Sequence, residues 1–181
     1  MQIFAPLVAL VAIASGVVAD GTCNGPNART KPPAGAIVVD ATGSYKGSFK
    51  TVSEGVAKLK PKKKSAQTIF VRPGVYNEQV LISPLAGPLV LQGYTCDATS
   101  YASNQVTITQ AKAQKDIPVE VKGEARNDMT STVRFKSDNV KVYNLNIANT
   151  AGNVGQALAV NVNATNYGFY ACKLTGTHQV F

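Results

Sequence analysis

Histidine, cysteine and acidic residues are all scarce in this sequence. One residue of 181 is histidine, His178, and three are cysteine: Cys23, Cys96 and Cys172. No Cys/His group has the spacing of metal ligands, so no metal or cofactor is expected. There is no G-x-S-x-G elbow for a serine nucleophile, and His178, near the end of the sequence, is a poor candidate base. Ten acidic residues face eighteen basic ones, for a net charge of +8, and none of the acids follows Asp138. A basic chain attracts polyanions through its long-range field. The marks of a nucleic-acid module are missing, since there is no recognition-helix pattern, zinc-finger spacing or aromatic strand motif.

The length suits one domain. Residues 1–19 carry no ionisable side chain, and Val17-Val18-Ala19 places small residues before Asp20. This reads as a signal peptide, although its only positive charge is the amine. The run is short for a membrane span and holds Pro6 and Gly16, so no membrane partner is expected. The chain is therefore expected to be secreted. Acidic polysaccharide is then a better polyanion than nucleic acid, and disulfides are permitted. Three cysteines leave one thiol free or without its partner, and the pairing stays open. Residues 20–35, with Gly, Pro and Asn and little periodicity, read as an extended leader; residues 36–181 form the domain.

The domain repeats itself. Shifted by 27 residues, Thr132-Val133-Arg134-Phe135 falls on Ala159-Val160-Asn161-Val162, and Val142–Ile147 falls on Phe169–Leu174. Each copy holds two short alternating strands. A strand-only repeat of this period predicts an all-β solenoid, a parallel β-helix in which each coil covers the open edge of its neighbour.

Upstream, Ile37-Val38-Val39, Thr68-Ile69-Phe70-Val71, Val80-Leu81-Ile82, Leu89-Val90-Leu91 and Val106-Thr107-Ile108-Thr109 read as strands. Pro73-Gly74 stops the second. Phe49, Val52, Val56 and Leu59 follow helical spacing, and Thr51-Val52-Ser53-Glu54 fits a capping box. This lone helix is placed to cap the N-terminal end of the column, with Gly55 weakening it by about 1 kcal/mol relative to Ala. Lys58, Lys60, Lys62, Lys63 and Lys64 surround Pro61. They read as a solvated turn or as a landing patch for an anionic polymer, whose pull salt would weaken. Gln110–Ser131 is polar and without pattern, as expected of a loop thrown out of the coils. Asn163-Ala164-Thr165 is an N-glycosylation acceptor. Asp40, Glu54, Glu78 and Asp138 read as solvated or turn-stabilising acids.

Three segments, taken in order, resemble the pectin methylesterases. Phe70-Val71-Arg72-Pro73-Gly74-Val75-Tyr76 with Glu78 resembles the family's "V-x-P-G-x-Y-x-E" segment. Asn149-Thr150-Ala151-Gly152 with Gln156-Ala157-Leu158-Ala159-Val160 resembles its "N-T-A-G…Q-A-x-A-x" segment. Tyr170-Ala171-Cys172 with Gly176 resembles the approach to "G-Y-Q-D". The resemblance covers about Ala36 to Gly176, and its wording at Leu85–Leu89 and Ile147–Thr150 leans towards the fungal branch. The fold it implies is a right-handed parallel β-helix.

The resemblance also implies a reaction. An Asp attacks the methyl ester of a galacturonate unit of pectin, a second Asp acts as acid and then base, and an Arg orients the nucleophile. Glutamine amides donate to the oxyanion, which is where preorganised donors act on the barrier. Of these groups only one carries over: Gln156, for oxyanion hydrogen bonding and hence substrate binding. Where the family has its first catalytic Asp this sequence has Gln179. The C-terminal coils, with the nucleophile and the Arg, are expected to be missing, as in a truncated product. Two readings follow: a secreted pectinesterase by family, inactive in this form, or a non-catalytic partial β-helix that binds acidic cell-wall polysaccharide. Full-length members are expected to be monomers, and this chain to self-associate through its open coil.

Overall fold

The computed structural model describes residues 23–176. The proposed signal segment 1–19, His178 and Gln179 lie outside them. Twelve strands are described: β1 (Ile37–Val39), β2 (Gln67–Val71), β3 (Gly74–Asn77), β4 (Val80–Ile82), β5 (Leu89–Gly93), β6 (Val106–Gln110), β7 (Val133–Phe135), β8 (Val140–Tyr143), β9 (Asn146–Asn149), β10 (Val160–Val162), β11 (Tyr167–Tyr170) and β12 (Lys173–Thr175). They form three parallel sheets, ordered β1-β2-β5-β8-β11, β3-β6-β9-β12 and β4-β7-β10. From β2 to β10 each turn of chain contributes one strand to each sheet in succession, so the chain climbs as a right-handed parallel β-helix.

The register follows the sequence repeat. Val160 pairs with Val133, Phe169 with Val142 and Leu174 with Ile147, all 27 residues apart. Like side chains therefore stack through the interior. Ile69, Leu91, Val142 and Phe169 form one column, and Tyr76, Ile108, Ile147 and Leu174 another. Val80, Val133 and Val160 line the third sheet. Most of these side chains are buried; only Phe169 and Leu174, in the last described coil, are half-buried. Sheet corners need sharp turns, and asparagines supply them. Asn139 and Asn166 lie 27 residues apart with φ of 59° and 50°, and the Asn166 amide donates to Asn139 Oδ1. Asn accepts this left-handed conformation more readily than other non-glycine residues.

Pro73-Gly74, read as a stop, is such a corner: the chain turns and resumes as β3, which the sequence reading missed. At the N-terminal end, helix α1 (Val52–Val56) packs on β1, β2 and β4. Thr51 Oγ1 accepts from Glu54 N, and the Glu54 carboxylate accepts from Thr51 N, which closes the capping box. Glu78, from the β3–β4 turn, accepts from Val52 N at 2.7 Å and Ser53 N at 2.8 Å, so a second carboxylate holds the helix start. Gly55 is a packing requirement, because a Cβ there would lie 2.7 Å from Val39 Cγ2.

Segment 23–35 is strapped to the coils. Arg29 and Thr95 exchange backbone hydrogen bonds, Ala98 N donates to Asn27 O, and Cys23 is disulfide-bonded to Cys96. Cys172 is the free thiol, and burial pushes its pKa up. The polar stretch Gln110–Ser131 is more ordered than its composition suggests. It holds a short 3-10 turn at Gln114–Asp116 and helix α2 (Gly123–Asp128). α2 lacks a side-chain cap. Order comes instead from Arg126, whose guanidinium donates to Gln114 O (2.6 Å), Pro118 O (2.9 Å) and Val121 O (3.2 Å).

Candidate active-site cleft

Gln156 lies in the β9–β10 connection, where the chain leaves the second sheet for the third. The excursion Gln110–Ser131 folds over this corner. Between them is an open cleft of 560 Å³, with Glu124 and Asp128 of α2 on one wall and Lys136, Gln156, Asn161 and Asn163 on the other.

Six hydrogen bonds, three of them fully buried, hold the connection. The Asn149 amide donates to Lys112 O (2.9 Å), Thr130 O (2.8 Å) and Leu158 O (3.1 Å), and its Oδ1 accepts from Ala151 N at 3.1 Å. Thr130 Oγ1 accepts from Leu158 N at 3.2 Å. Gln110 Nε2 donates to Thr130 O at 2.8 Å. The motif Asn149-Thr150-Ala151-Gly152 therefore works through its first residue, which ties both sides of the cleft to one buried amide.

Gln114 fixes Gln156 itself. Gln114 N donates to Gln156 O at 3.0 Å, and Gln114 Nε2 donates to Gln156 Oε1 at 3.3 Å and to Asn127 Oδ1. The carbonyl end of the Gln156 side chain is thereby occupied. Among the described residues, Gln156 Nε2 has no protein acceptor, so the donor is unspent at the rim of the cleft. Sequence reasoning missed Gln114, which sits in a stretch without periodicity; no local signal distinguishes it.

Of the two acids that line the cleft, Glu124 and Asp128, Asp128 is occupied. Lys136 Nζ lies 2.8 Å from Asp128 Oδ1, and Arg134 Nη1 lies 3.6 Å from Asp128 Oδ2. Both oxygens of the Asp128 carboxylate are therefore engaged by cations. Asp138 accepts from Thr165 N (2.6 Å) and Thr165 Oγ1 (2.8 Å), contacts that hold its pKa below the usual range. Glu54 and Glu78 bond to α1, as described above. Asp40 is buried away from the cleft. Among the described residues, no three His, Cys, Asp or Glu side chains converge to hold a metal ion.

Asn163 is exposed at the end of the third-sheet strand, its backbone held by Phe135 O at 2.9 Å. It also lines the cleft, while the hydroxyl of Thr165 in the same acceptor sequence donates to Asp138.

Known proteins share this architecture. The family model described as Pectinesterase matches residues 36–180. The pectinesterase of Aspergillus niger is 43% identical over 149 residues, and that of Aspergillus aculeatus is 41% identical over the same length. Each alignment covers 82% of this chain and 42% of the relative, so the chain spans less than half the length of the curated relatives it matches. Among solved structures, the pectin methylesterase from Aspergillus niger superposes with a TM-score of 0.71 at 34% identity, covering 83% of this chain and 46% of that one. The pectin methylesterase from carrot gives 0.63 at 28% identity, covering 78% and 40%. The stacked coils, their register and these matches agree: the chain belongs to the pectinesterase family.

Proposed function

We propose that the protein acts on pectin as a carboxylic ester hydrolase, cleaving galacturonate methyl esters to pectate and methanol. In this reading Gln156 supplies one oxyanion donor. The observation that carries it is the Gln114–Gln156 contact, which engages the carbonyl end of a glutamine that lines the cleft and leaves its amide donor without a protein acceptor among the described residues. A fixed donor there is worth about a hundredfold or more in kcat, because it stabilises charge that develops only in the transition state. The nucleophilic Asp, the acid–base Asp and the orienting Arg of the family mechanism have no counterparts among the described residues of the cleft, where Asp128 is already clamped by Lys136 and Arg134.

The 181-residue chain alone is therefore read as a non-catalytic portion of that enzyme. It is secreted, carries glycan at Asn163, and holds acidic polysaccharide without turning it over. Among the described residues, β10, β11 and β12 each pair on one side only. Strand edges of this kind recruit further strands, so the chain alone self-associates.

Methanol release from methyl-esterified pectin tests both statements. The 181-residue chain is expected to give no release above blank. A chimera joining residues 36–176 to the remaining length of the Aspergillus niger relative is expected to release methanol, and Gln156→Ala in it to lower kcat about a hundredfold. An inactive but folded chimera would overturn the esterase reading. Activity from the 181-residue chain would overturn the inactivity statement.

A further inference from the structure

The five lysines at 58–64 are held in a defined shape. Gln67, almost fully buried, grips Lys60 from both sides: its Oε1 accepts from Lys60 N at 2.8 Å, and its Nε2 donates to Lys60 O at 3.0 Å. Lys63 N donates to Lys60 O at 3.1 Å, and Ala86 N donates to Pro61 O at 2.8 Å. Gly87 presses on the same turn, where a Cβ would lie 2.4 Å from Lys64 O and 2.6 Å from Lys63 O. Lys58 Nζ stands 5.3 Å from the centre of the Phe49 ring. The backbone of this turn is thus pinned by a buried side chain, a neighbouring coil and a close glycine contact.

The pinned turn borders a concave surface of 300 Å³ at the N-terminal ends of β1 and β2. Lys58, Lys60 and Lys63 line it with Gln67 and Thr68, and no acidic residue does. Among the described residues, none of the five lysines forms an ion pair. All five are exposed. Like charges gathered on one turn repel each other, a standing cost that an anionic ligand relieves. The site is remote from Gln156. It lies at the corner leading into the first sheet, at the first two coils, whereas Gln156 lies at the corner between the second and third sheets in the fourth coil.

We infer that this lysine-lined hollow binds a run of free uronate carboxylates on an acidic polysaccharide, as a second contact away from the cleft. The identity of the ligand rests on the pectin reading above; the charge and shape of the site do not. An exposed Lys–carboxylate pair contributes little singly. Three lining one concave surface engage neighbouring units of one polymer, each contact raising the effective concentration for the next. The preference is for de-esterified stretches, because a methyl ester carries no charge for the lysines to meet. The enzyme's product, rather than its substrate, is then held here, which keeps the chain on a polymer already partly processed.

The test is a titration of fluorescein-labelled decagalacturonate with the 181-residue chain, read by anisotropy at low and at physiological salt. A triple variant Lys58→Gln, Lys60→Gln, Lys63→Gln is compared with a charge-matched control, Lys46→Gln, Lys122→Gln, Lys173→Gln. The expected result is binding that weakens about tenfold in the first variant and less than about twofold in the control, with a shallower salt dependence in the first. Matched thermal melts exclude unfolding as the cause. Fully methyl-esterified oligomer is expected not to bind. Equal losses in both variants, or no binding by the parent chain, would overturn the proposal. So would a single-stranded DNA of equal charge that binds as tightly with the same lysine dependence, which would make the site a general polyanion contact. None of these outcomes depends on methanol release, so the site and the esterase reading can fail separately.

Discussion

Replacing Asn149 with alanine removes the amide that joins the two walls of the cleft. Asn149 is 3% exposed. Its three carbonyl acceptors do not suffer equally. Thr130 O keeps Gln110 Nε2, and Leu158 O keeps Thr132 N at 3.1 Å. Lys112 O loses its only protein donor among the described residues, and Ala151 N loses its acceptor. The orphaned, partly buried Lys112 carbonyl costs about 1–3 kcal/mol, and the lost Ala151 bond about 0.5–1.5 kcal/mol. The sum is about 3 kcal/mol, or a melting temperature lower by roughly 6–12 °C for a domain of this size. Asn149→Asp should be worse than Ala at neutral pH, because it points a carboxylate oxygen at carbonyls that now receive a donor. Its stability should recover as the pH falls and the acid gains a proton. Urea unfolding at pH 7 and pH 4 measures all three chains. A loss below about 1 kcal/mol in Asn149→Ala, or an Asp variant as stable as the Ala variant at pH 7, would refute the reasoning.

Two further outcomes follow from the same kind of accounting. Burial pushes the Asp40 carboxyl up, but hydrogen bonds from the Thr42 hydroxyl and amide, the Tyr45 amide and the Ser44 hydroxyl outweigh it and lower the pKa from 3.8 to about 2. A depressed folded-state pKa adds stability above the unfolded value, so about 2 kcal/mol should be present above pH 4 and lost as the pH falls towards 2. Asp40→Asn should flatten acid unfolding in that window, and an unchanged profile would count against it. The Cys23–Cys96 bond closes a loop with a sequence separation of 73 residues. Its removal by Cys23→Ser with Cys96→Ser should cost about 4 kcal/mol by loop-closure entropy, while Cys172→Ser leaves the urea midpoint nearly unchanged. A double variant as stable as the parent would show that the strap at 23–35 adds nothing to the coils.

The sequence by itself determined the column. Alternating strands recur at 27 residues, and a chain whose interior is filled by stacked like residues cannot shift Val142 against Phe169 or Ile147 against Leu174 without turning its core outward. The capping box at Thr51–Glu54 was legible for the same reason, since both partners are local. Gln156 could be nominated because its neighbours match a known segment. What the sequence did not disclose depends on partners distant along the chain. Glu78 meets the first turn of α1 from 26 residues away, and Gly55 is needed for the space beside Val39. Gln114 reaches Gln156 across 42 residues, from a stretch with no pattern because its order comes from Arg126 and three backbone carbonyls. Only the tertiary structure decided which cysteines pair, that Asp128 is engaged by Lys136 and Arg134, and that Gln114 meets Gln156. Periodicity records what a residue does for its own coil; contacts between distant loops obey no period.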